Sequence, residues 1–375
     1  MKRLVLAGAG HAHAQVLLDW ARAPVPGVEL VLVAPQALAP YSGMVPGWLA
    51  GAYRFEDIVI DFRHLCAAAG ARWVAGELHA LDASQHRLRL GQGGSPGDWL
   101  DYDHLSLNLG STLQAPSAPG TPVLALRPLS ALHAQYEPML AQWQASTSKE
   151  PYRVSTVGGG AAGVESLLAV LARLRSLRPD RPVQGLLVTR SPELLPNLAP
   201  AARRAAQRAL QRAGVTLRLG TAWCAELTQG HDLLLWAAGA QAHAWQQDPA
   251  RRGTLAVSED GFVQVDRFLQ STSHPQIHAV GDCAQWHTPL PKAGVYAVRM
   301  GPVLTHNLRA ALLADREPLA FSPQQHFLSL LFTADGRAIA SRAGLGLQSH
   351  WVARWKDHID RRFIQRFAAT GAPAS

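Results

Sequence analysis

The chain has 375 residues, of which 48% are hydrophobic and 17% charged, enough to bury the cores of two or three domains. Its formal net charge of +8 comes without a long lysine or arginine run and without a nucleic-acid-binding motif, which argues against a nucleic-acid partner. Three widely spaced cysteines, Cys66, Cys224 and Cys283, form neither a Cys-x-x-Cys pair nor a disulfide framework, as is typical of a cytoplasmic protein.

The N-terminal stretch predicts a strand, a tight turn and a helix. An apolar run over residues 4–7 leads through Gly8 and Gly10 into an apolar-rich helix pattern over residues 14–23. Gly8 allows the turn, and Gly10 lets backbone N–H groups approach a diphosphate at the helix N-terminus, where the helix dipole favours negative charge. The pattern departs from the usual dinucleotide fingerprint at His13, which replaces the third glycine.

The next segment supplies a second strand and a loop. The strand over residues 28–34 ends at Ala34 and Pro35, so it lacks the acidic residue that usually binds the adenosine ribose. Residues 40–47 are dense in glycine and proline. They form either a simple turn or a loop beside a cofactor ring, because they lie just beyond the second strand of the first cofactor unit.

A second glycine-rich turn repeats this pattern in the middle of the chain. A strand over residues 153–157 leads into Gly158, Gly160 and Gly163, and a helix follows over residues 162–174. Two such turns in one chain indicate two nucleotide-binding domains.

Two charged residues of the second unit have open roles. Glu165, at the start of its helix, either stabilises the structure near the helix dipole or forms a hydrogen bond on the nicotinamide side. The strand over residues 185–189 again lacks a terminal acid and is followed by Arg190. This arginine either pairs with the 2′-phosphate of NADPH or is a solvated surface residue.

A second pair of repeats marks the ends of later strands. One strand pattern ends at Gly110 and another at Gly239, at similar spacings after the two glycine-rich turns. Ile277 to Asp282 then forms a late strand ending in Gly281-Asp282, where Asp282 can accept hydrogen bonds from ribityl hydroxyls. The helix that follows would stabilise negative charge on a reduced flavin ring, and Lys292 lies either near that ring or on the surface.

The remaining elements are predicted from periodicity and turn residues. Helices are expected over residues 58–69, 131–144 and 198–214, hairpin strands over 78–90 with a turn at 91–98, a linker over 116–128, and a strand pattern over 254–265. A C-terminal hairpin is expected from residues 327–333 and 337–341, joined by Ala-Asp-Gly.

The tail predicts one amphipathic helix over residues 350–369. Its aromatic and aliphatic residues recur at four-residue steps, with basic residues on either side: Trp351, Trp355, Ile359, Phe363 and Phe367. Periodicity alone leaves two interpretations open. The helix packs on the body or on a second subunit, or it lies at a membrane surface with aromatic and basic faces.

Taken together, these segments resemble the two-dinucleotide-binding-domain flavoproteins called pyridine nucleotide-disulfide oxidoreductases. The chain is similar to the subgroup that contains type II NADH dehydrogenase and sulfide:quinone oxidoreductase relatives. Four segments resemble the NADH dehydrogenase-like proteins found alone or fused ahead of selenide, water dikinase: Gly-His-Ala-His at 10–13, Pro-Tyr-Ser-Gly-Met-Val-Pro-Gly at 40–47, Pro-Lys-Ala-Gly-Val-Tyr-Ala-Val-Arg at 291–299, and Trp-Lys-Asp-His-Ile-Asp-Arg-Arg-Phe at 355–363.

This resemblance implies FAD in the first domain, NADH or NADPH as the co-substrate in the second, and no metal. The residues it implies for FAD are Gly8, Gly10, His11, Ala34, Pro35, Gly43, Met44, Gly110, Gly281, Asp282, Lys292, Ala293 and Gly294. Those it implies for the nicotinamide nucleotide are Gly158, Gly160, Gly163, Glu165 and Gly239, to which Arg190 is added from the strand pattern. Hydride transfer through a flavin needs no acid or base side chain, and Lys292 is the one candidate for a catalytic group.

Two departures from the subgroup bear on the electron acceptor. Sulfide oxidation needs a pair of redox cysteines near the flavin, and here only Cys283 lies close to a cofactor motif. Type II NADH dehydrogenases carry two glutamines at the quinone entrance, where this chain has Val295 and Arg299. The first departure argues against sulfide oxidation and the second against a quinone. The first candidate for the acceptor is a quinone, and the second is a soluble selenium- or sulfur-related compound.

The sequence predicts an α/β fold with two Rossmann-like three-layer domains, a C-terminal hairpin and an amphipathic helix. The expected FAD-binding domain is discontinuous, over residues 1–118 and 254–320, with the NAD(P)H-binding domain over 119–253 and the C-terminal unit over 321–375. The expected activity is that of an FAD-dependent NAD(P)H oxidoreductase in the cytoplasm or peripherally on the inner face of the plasma membrane, with membrane contact or a homodimer formed by the tail helix. The alternative is an FAD-binding sensor or docking protein with little turnover.

Overall fold

Two five-stranded parallel sheets organise the chain in the computed structural model, which describes residues 1–92, 95–118, 120–324 and 327–368. The strands are β1 (Lys2–Ala7), β2 (Val28–Ala34), β3 (Leu38–Pro40), β4 (Val59–Asp61), β5 (Arg72–Ala75), β6 (Glu77–Asp82), β7 (Arg87–Gln92), β8 (Ser95–Asp101), β9 (His104–Leu107), β10 (Val123–Ala125), β11 (Tyr152–Val157), β12 (Val183–Val188), β13 (Val215–Arg218), β14 (Leu233–Trp236), β15 (Val263–Val265), β16 (Ile277–Ala279), β17 (Ala284–Trp286), β18 (Ser329–Phe332), β19 (Ala338–Arg342) and β20 (Leu345–Ser349). The α-helices are α1 (His11–Arg22), α2 (Val45–Leu49), α3 (Phe62–Ala69), α4 (Leu129–Ala145), α5 (Ala161–Leu177), α6 (Pro200–Arg212), α7 (Ala244–Gln247), α8 (Pro249–Arg252), α9 (Gly294–Leu313) and α10 (His350–Ala368).

The first parallel sheet has the strand order β16-β9-β1-β2-β5. Strand β1 lies near its centre, and its side chains alternate between two cores: Leu4 and Leu6 face α1, α3 and α9, whereas Val5 and Ala7 face the core that contains the β6-β7-β8 sheet. Strand β16 joins this sheet from far along the chain, so the first unit is completed only after the second has been inserted.

The second parallel sheet repeats this plan with the strand order β10-β14-β11-β12-β13. Helices α4, α5 and α6 supply buried leucines and alanines to its core. Helix α5 and strand β12 pack closely because Gly185 has no side chain, and a Cβ there would lie 2.8 Å from a methyl carbon of Leu171. The two sheets confirm the predicted α/β class and the internal duplication.

The C-terminal unit is a three-stranded antiparallel sheet, β18-β19-β20, followed by α10. The predicted hairpin corresponds to β18 and β19, and β20 adds a strand that the sequence analysis did not predict. Its pattern is weak because its two leucines, Leu345 and Leu347, face solvent and a glycine separates them. Apolar residues on the exposed face of an edge strand carry no clear burial signal.

The apolar residues in the stripe along the tail helix do not form a single buried face. A four-residue step advances an α-helix by one turn plus about 40°, so the first and last members of this stripe differ by about 160°. Accordingly Trp351 and Trp355 are 76% and 48% exposed, whereas Phe367 is buried. The buried face instead includes Val352 and two charged residues, Lys356 and Asp360.

Three local predictions also differ from the structure. The helix expected from residue 58 begins at Phe62, because the Asp61 carboxylate accepts hydrogen bonds from Arg63 N (2.9 Å) and His64 N (3.1 Å) and so caps it. The pattern over residues 254–265 forms a strand only at Val263–Val265. Strands β7 and β8 extend into the expected turn at 91–98, of which residues 93 and 94 lie outside the described residues. No helix in the described part of the chain has the length and apolarity needed to cross a membrane.

Candidate functional site

The first glycine-rich turn joins β1 to α1, and the glycine that precedes this helix supplies no side chain to cap it. Gly8 has a φ of +103°, and a Cβ at this position would overlap Asn108 O. Gly10 is the N-cap residue of α1 and forms no side-chain cap hydrogen bond of its own, and one N–H of the first turn, that of Ala12, donates to Asn108 Oδ1. Free backbone N–H groups at the start of a helix form a site for an anion.

Asn108 fixes this turn against the neighbouring strands, and the sequence analysis did not identify it. Its Oδ1 accepts a hydrogen bond from Ala12 N (3.1 Å), and its Nδ2 donates to Val280 O (3.0 Å). The side chain therefore joins the start of α1, the end of β9 and the end of β16. The available signal was an amide side chain directly after strand β9. Asn108 is buried, and a buried polar group needs hydrogen-bond partners, so a role in fixing neighbouring segments could have been predicted.

His13 takes the place of the third glycine through hydrogen bonds of its ring. Nδ1 lies 2.7 Å from Gly8 O and Nε2 lies 2.9 Å from Ser106 Oγ. Because a carbonyl only accepts, the proton belongs on Nδ1, and Nε2 accepts from the hydroxyl of Ser106. Burial lowers the pKa of His13 to about 4, so the ring is neutral near pH 7. His13 thus connects helix α1 to the turn at Gly8 and to strand β9 at Ser106.

Asp282 and Lys292 both have protein partners. Arg127, which follows β10, donates to Asp282 Oδ2 (2.7 Å), to Ser111 Oγ and to Lys292 O (3.2 Å). The Lys292 ammonium donates to Ala284 O (2.8 Å) and lies 3.6 Å from the centre of the Phe262 ring. These contacts give the Lys292 ammonium a structural role, and a role at the flavin stays a prediction.

The predicted ring-binding residues come together from two segments. Gly43 and Met44 precede α2, while Ala293 and Gly294 begin α9, and a Cβ at Gly294 would lie 2.6 Å from Ser42 Oγ. Ala34 ends β2 in the core, Pro35 is exposed after it, and Gly110 has a φ of +72° with open space where a Cβ would stand.

A buried charged cluster lies beside Gly43. The Lys356 ammonium donates to Gly43 O and to Asp360 Oδ2, each at 2.6 Å. The Tyr41 hydroxyl also hydrogen-bonds to Asp360, and burial raises the pKa of this carboxyl despite its neighbouring ammonium. We call these three side chains, Lys356, Asp360 and Tyr41, the lysine cluster. The sequence analysis listed the segment 355–363 only as a resemblance and did not predict the cluster.

An aromatic group lies next to this cluster. His11, the first residue of α1, packs edge-on against Tyr41 with a ring-centroid distance of 5.5 Å, and Tyr41 packs on Phe363 at 4.4 Å. Helix α10 therefore contacts both the first glycine-rich turn and the loop at residues 40–47.

The second glycine-rich turn has a similar geometry. Gly158 has a φ of +124°, and a Cβ at Gly163 would overlap Gly158 O, so helix α5 can approach β11 only because residue 163 is glycine. Gly160 is the N-cap of α5 without a side-chain cap, and open space surrounds the position of its missing Cβ. Gly239 also faces open space, and Arg190 is exposed after β12.

Glu165 connects the second unit to the C-terminal sheet. Its Oε1 accepts a hydrogen bond from Phe332 N at 2.6 Å. Burial raises the pKa of Glu165 to about 7, against the lowering effect of the Lys356 charge and of the Phe332 N–H. The carboxyl therefore lies within electrostatic range of the lysine cluster and titrates near neutral pH.

The residues at both turns fit the diphosphate groups of FAD and of a nicotinamide nucleotide. Neither helix is capped by the side chain of its own N-cap residue, and no acidic side chain occupies the first turn of α1 or α5. Backbone N–H groups at a helix start are the donor set that a diphosphate requires, and in α1 one of them, that of Ala12, is already bonded to Asn108. The open positions at Gly110, Gly160 and Gly239 leave room for the ligands.

The cysteines do not supply dithiol chemistry. Cys66, Cys224 and Cys283 are all free, and Cys283 donates its S–H to Val280 O (3.3 Å) and Leu107 O (3.5 Å). Burial raises the pKa of Cys283 to about 11, so it remains a protonated thiol.

Comparison with known proteins establishes the family. Residues 2–301 match the family described as pyridine nucleotide-disulphide oxidoreductase, and the chain belongs to this family. This match confirms the family that the sequence resembles, and it supports FAD and NAD(P)H as the predicted cofactors.

Individual relatives are distant. The chain is similar to the nitric oxide reductase FlRd-NAD(+) reductase of Aeromonas salmonicida (strain A449), with 26% identity over 269 residues, or 68% of this chain and 63% of that relative, which is less than two thirds of its length. Its fold is similar to sulfide:quinone oxidoreductase from Aquifex aeolicus (TM-score 0.77, 14% identity, covering 100% of this chain and 93% of the other). It is also similar to NDH2 from Plasmodium falciparum in complex with NADH (TM-score 0.76, 12% identity, 98% of each chain).

The buried histidines predict an acid-sensitive fold. Burial lowers the pKa of His13 and of His278 from 6.5 to about 4, so the unfolded chain binds more protons than the folded one between these values. The contribution of each histidine to the free energy of unfolding should be constant above pH 6.5 and decrease toward pH 4 by about 1.4 kcal/mol per pH unit. Urea unfolding of the wild type and of His13→Asn at pH 7, 6 and 5 measures this. The variant should show a shallower pH dependence, and identical slopes would contradict the assignment.

Proposed function

We propose that the protein passes the electrons of NAD(P)H to a small acceptor that takes up protons as it is reduced, with a quinone as the first candidate. FAD held at the first glycine-rich turn would supply the hydride acceptance from NAD(P)H and the electron transfer to the acceptor. The chain's own residues bind the two nucleotides, exclude water and hold protons near the acceptor. The observation that carries the proposal is the lysine cluster beside Gly43.

In this proposal the domain boundaries follow the sequence analysis. Residues 1–118 and 254–320 bind FAD, residues 119–253 bind NAD(P)H, and residues 321–375 form the C-terminal hairpin and amphipathic helix. The glycine turns before α1 and α5 support this division, because each leads into a helix start where backbone N–H groups can bind one diphosphate.

Proton supply is the argument for this acceptor class. Reduction of a quinone by NAD(P)H consumes one proton in addition to the hydride. Lys356 lies against Gly43 O, and Glu165, which interacts electrostatically with Lys356, has a pKa raised by burial to about 7, so its carboxyl can carry a proton at neutral pH. A one-electron acceptor such as an iron–sulfur protein takes up no proton as it is reduced and would not use such a group.

The proposed nicotinamide nucleotide is NADPH. Support comes from the end of β12, where Arg190 is exposed and no acidic residue is present to bind the 2′-hydroxyl of NADH. A guanidinium in this place can bind the 2′-phosphate through two parallel hydrogen bonds.

The proposed partner of the tail is a membrane surface rather than a second copy. Support comes from Trp351 and Trp355 at the exposed end of α10, with the exposed Leu345 and Leu347 immediately before it. Two copies that met through this face would bring their own arginines together, whereas an anionic membrane would attract them.

Replacement of Lys356 tests the acceptor proposal. Lys356→Gln should leave flavin reduction by NADPH unchanged and slow reoxidation by a short-chain quinone by about 100-fold, because a positioned proton source is lost. Rapid-mixing absorbance spectroscopy separates these two half-reactions. Arg362→Gln, which removes a charge from the exposed side of the same helix, is the matched control.

Other outcomes distinguish the alternatives. Equal reoxidation rates in Lys356→Gln and wild type would overturn the role of the cluster. Reoxidation by a selenium or sulfur compound, but not by quinones, would favour a soluble-acceptor reductase. A flavin that neither nucleotide reduces would favour the sensor or docking protein.

The nucleotide preference has its own test. Arg190→Gln should raise the KM for NADPH by about tenfold and leave that for NADH within about twofold, because only NADPH presents the 2′-phosphate. Steady-state oxidation of both nucleotides by the same preparation measures the ratio. An unchanged ratio would show that Arg190 is a solvated surface residue.

A further inference from the structure

A cleft lined by arginines lies between helix α6 and strand β20. It has a volume of about 520 Å³, and its walls carry Arg204, Arg208 and Arg212 from α6, Arg337 from the turn between β18 and β19, and Leu347 from β20. None of these residues belongs to the predicted nucleotide sites. We call this feature the arginine cleft.

Close backbone packing holds the two walls of the cleft together. Gly346 lies directly against α6, and a Cβ at this position would overlap Ala202 N. At the start of the same helix, Ala199 N donates a hydrogen bond of 3.0 Å to Ser341 Oγ on β19. The cleft is therefore a preformed feature at the junction of the second sheet unit and the C-terminal sheet.

The positive charge in the cleft is only partly compensated. Arg212 pairs with Asp335 at 3.0 Å, and Arg337 Nε contacts His350 Nε2 at 3.4 Å. Arg204 and Arg208 are exposed and have no hydrogen-bond or ion-pair partner among the residues that the structure describes. Asp335 is thus the acid that faces the cleft arginines.

The clustering of arginines along α6 is electrostatically unfavourable when no anion is bound. Arg204, Arg208 and Arg212 follow each other at four-residue intervals, so their side chains lie on one side of α6 and repel each other. An anion held between them would remove that repulsion, and a guanidinium binds phosphate oxygens in a fork of parallel hydrogen bonds.

We propose that the arginine cleft is a binding site for a ligand that carries phosphate groups, separate from the FAD and NAD(P)H sites. The volume lies within the range of small-molecule sites and exceeds the space needed by a single inorganic phosphate. The two unpaired guanidiniums of Arg204 and Arg208 bind the phosphate groups, and Arg337 closes the cleft from the opposite wall.

Two sources can present this chemistry. One is a soluble polyphosphate group. The other is the headgroup of an anionic phospholipid. Leu347 would give it an apolar wall, because this side chain is 61% exposed. Leu345 and Trp351, close by in the chain, are also exposed, at 77% and 76%. Both sources require the same arginines, so one pair of substitutions tests the site in both cases.

The experiment compares the FAD-loaded wild type with Arg204→Gln/Arg208→Gln. Titration calorimetry with inorganic pyrophosphate measures the soluble arm, and flotation with vesicles of phosphatidylglycerol and phosphatidylcholine, or of phosphatidylcholine alone, measures the lipid arm. Arg22→Gln/Arg63→Gln removes two exposed charges from α1 and α3 and is the matched control.

Pyrophosphate binding that weakens by at least about tenfold in the cleft variant, but not in the control, would identify a soluble phosphate ligand. Binding to the phosphatidylglycerol vesicles that weakens in the same selective way would identify the lipid headgroup. The proposal is overturned if the wild type binds neither probe, or if the cleft variant and the control bind alike. Both readouts are independent of the electron acceptor, so this result and that of the function proposal remain distinguishable.

Discussion

The close approach of three chain segments at Asn108 is the constraint on which the first nucleotide site depends. The side-chain amide of Asn108 accepts a hydrogen bond from the start of α1 and donates one to the end of β16. Gly8 and Gly10 pack so closely against Asn108 that a Cβ at either position would overlap it. Because β16 comes from residues 277–279, this side chain also joins the two separated parts of the first unit. A small, rigid turn results, and the free N–H groups of α1 point outward from it.

The second unit reaches the same geometry by a different route. There the third glycine is present, and Gly163 lets α5 approach the turn through backbone contact alone. In the first unit His13 occupies that position and replaces backbone contact by two ring hydrogen bonds, to Gly8 O and to Ser106 Oγ. The two units therefore share a glycine turn that leads into a helix N-terminus, but they do not share the side chains that fix this turn.

The sequence predicted the parts of this account that depend on local chemistry. Glycines in tight turns, strand ends without an acid and the late Gly281-Asp282 can be recognised because each signal lies within a few residues. Asn108, Arg127 and the pair Lys356–Asp360 could not be predicted as partners, because their contacts join residues more than ninety positions apart or depend on which face of α10 is buried. The four-residue repeat in α10 did not show which of its members are buried. The repeat turns gradually around the helix, so only tertiary packing decides which part of it contacts the rest of the protein.

The central claim is that the start of α1, held by Asn108, binds the diphosphate of FAD. The most direct test is the FAD content and affinity of the purified wild type and of Asn108→Asp, measured by flavin absorbance and by titration of the apoprotein. The aspartate keeps the shape of the side chain, but it cannot donate to Val280 O and adds a negative charge beside the helix N-terminus. The wild type should hold one FAD per chain, and the variant should fold and bind FAD much more weakly. A wild type that takes up no FAD, or a variant that binds it as tightly as the wild type, would contradict the account.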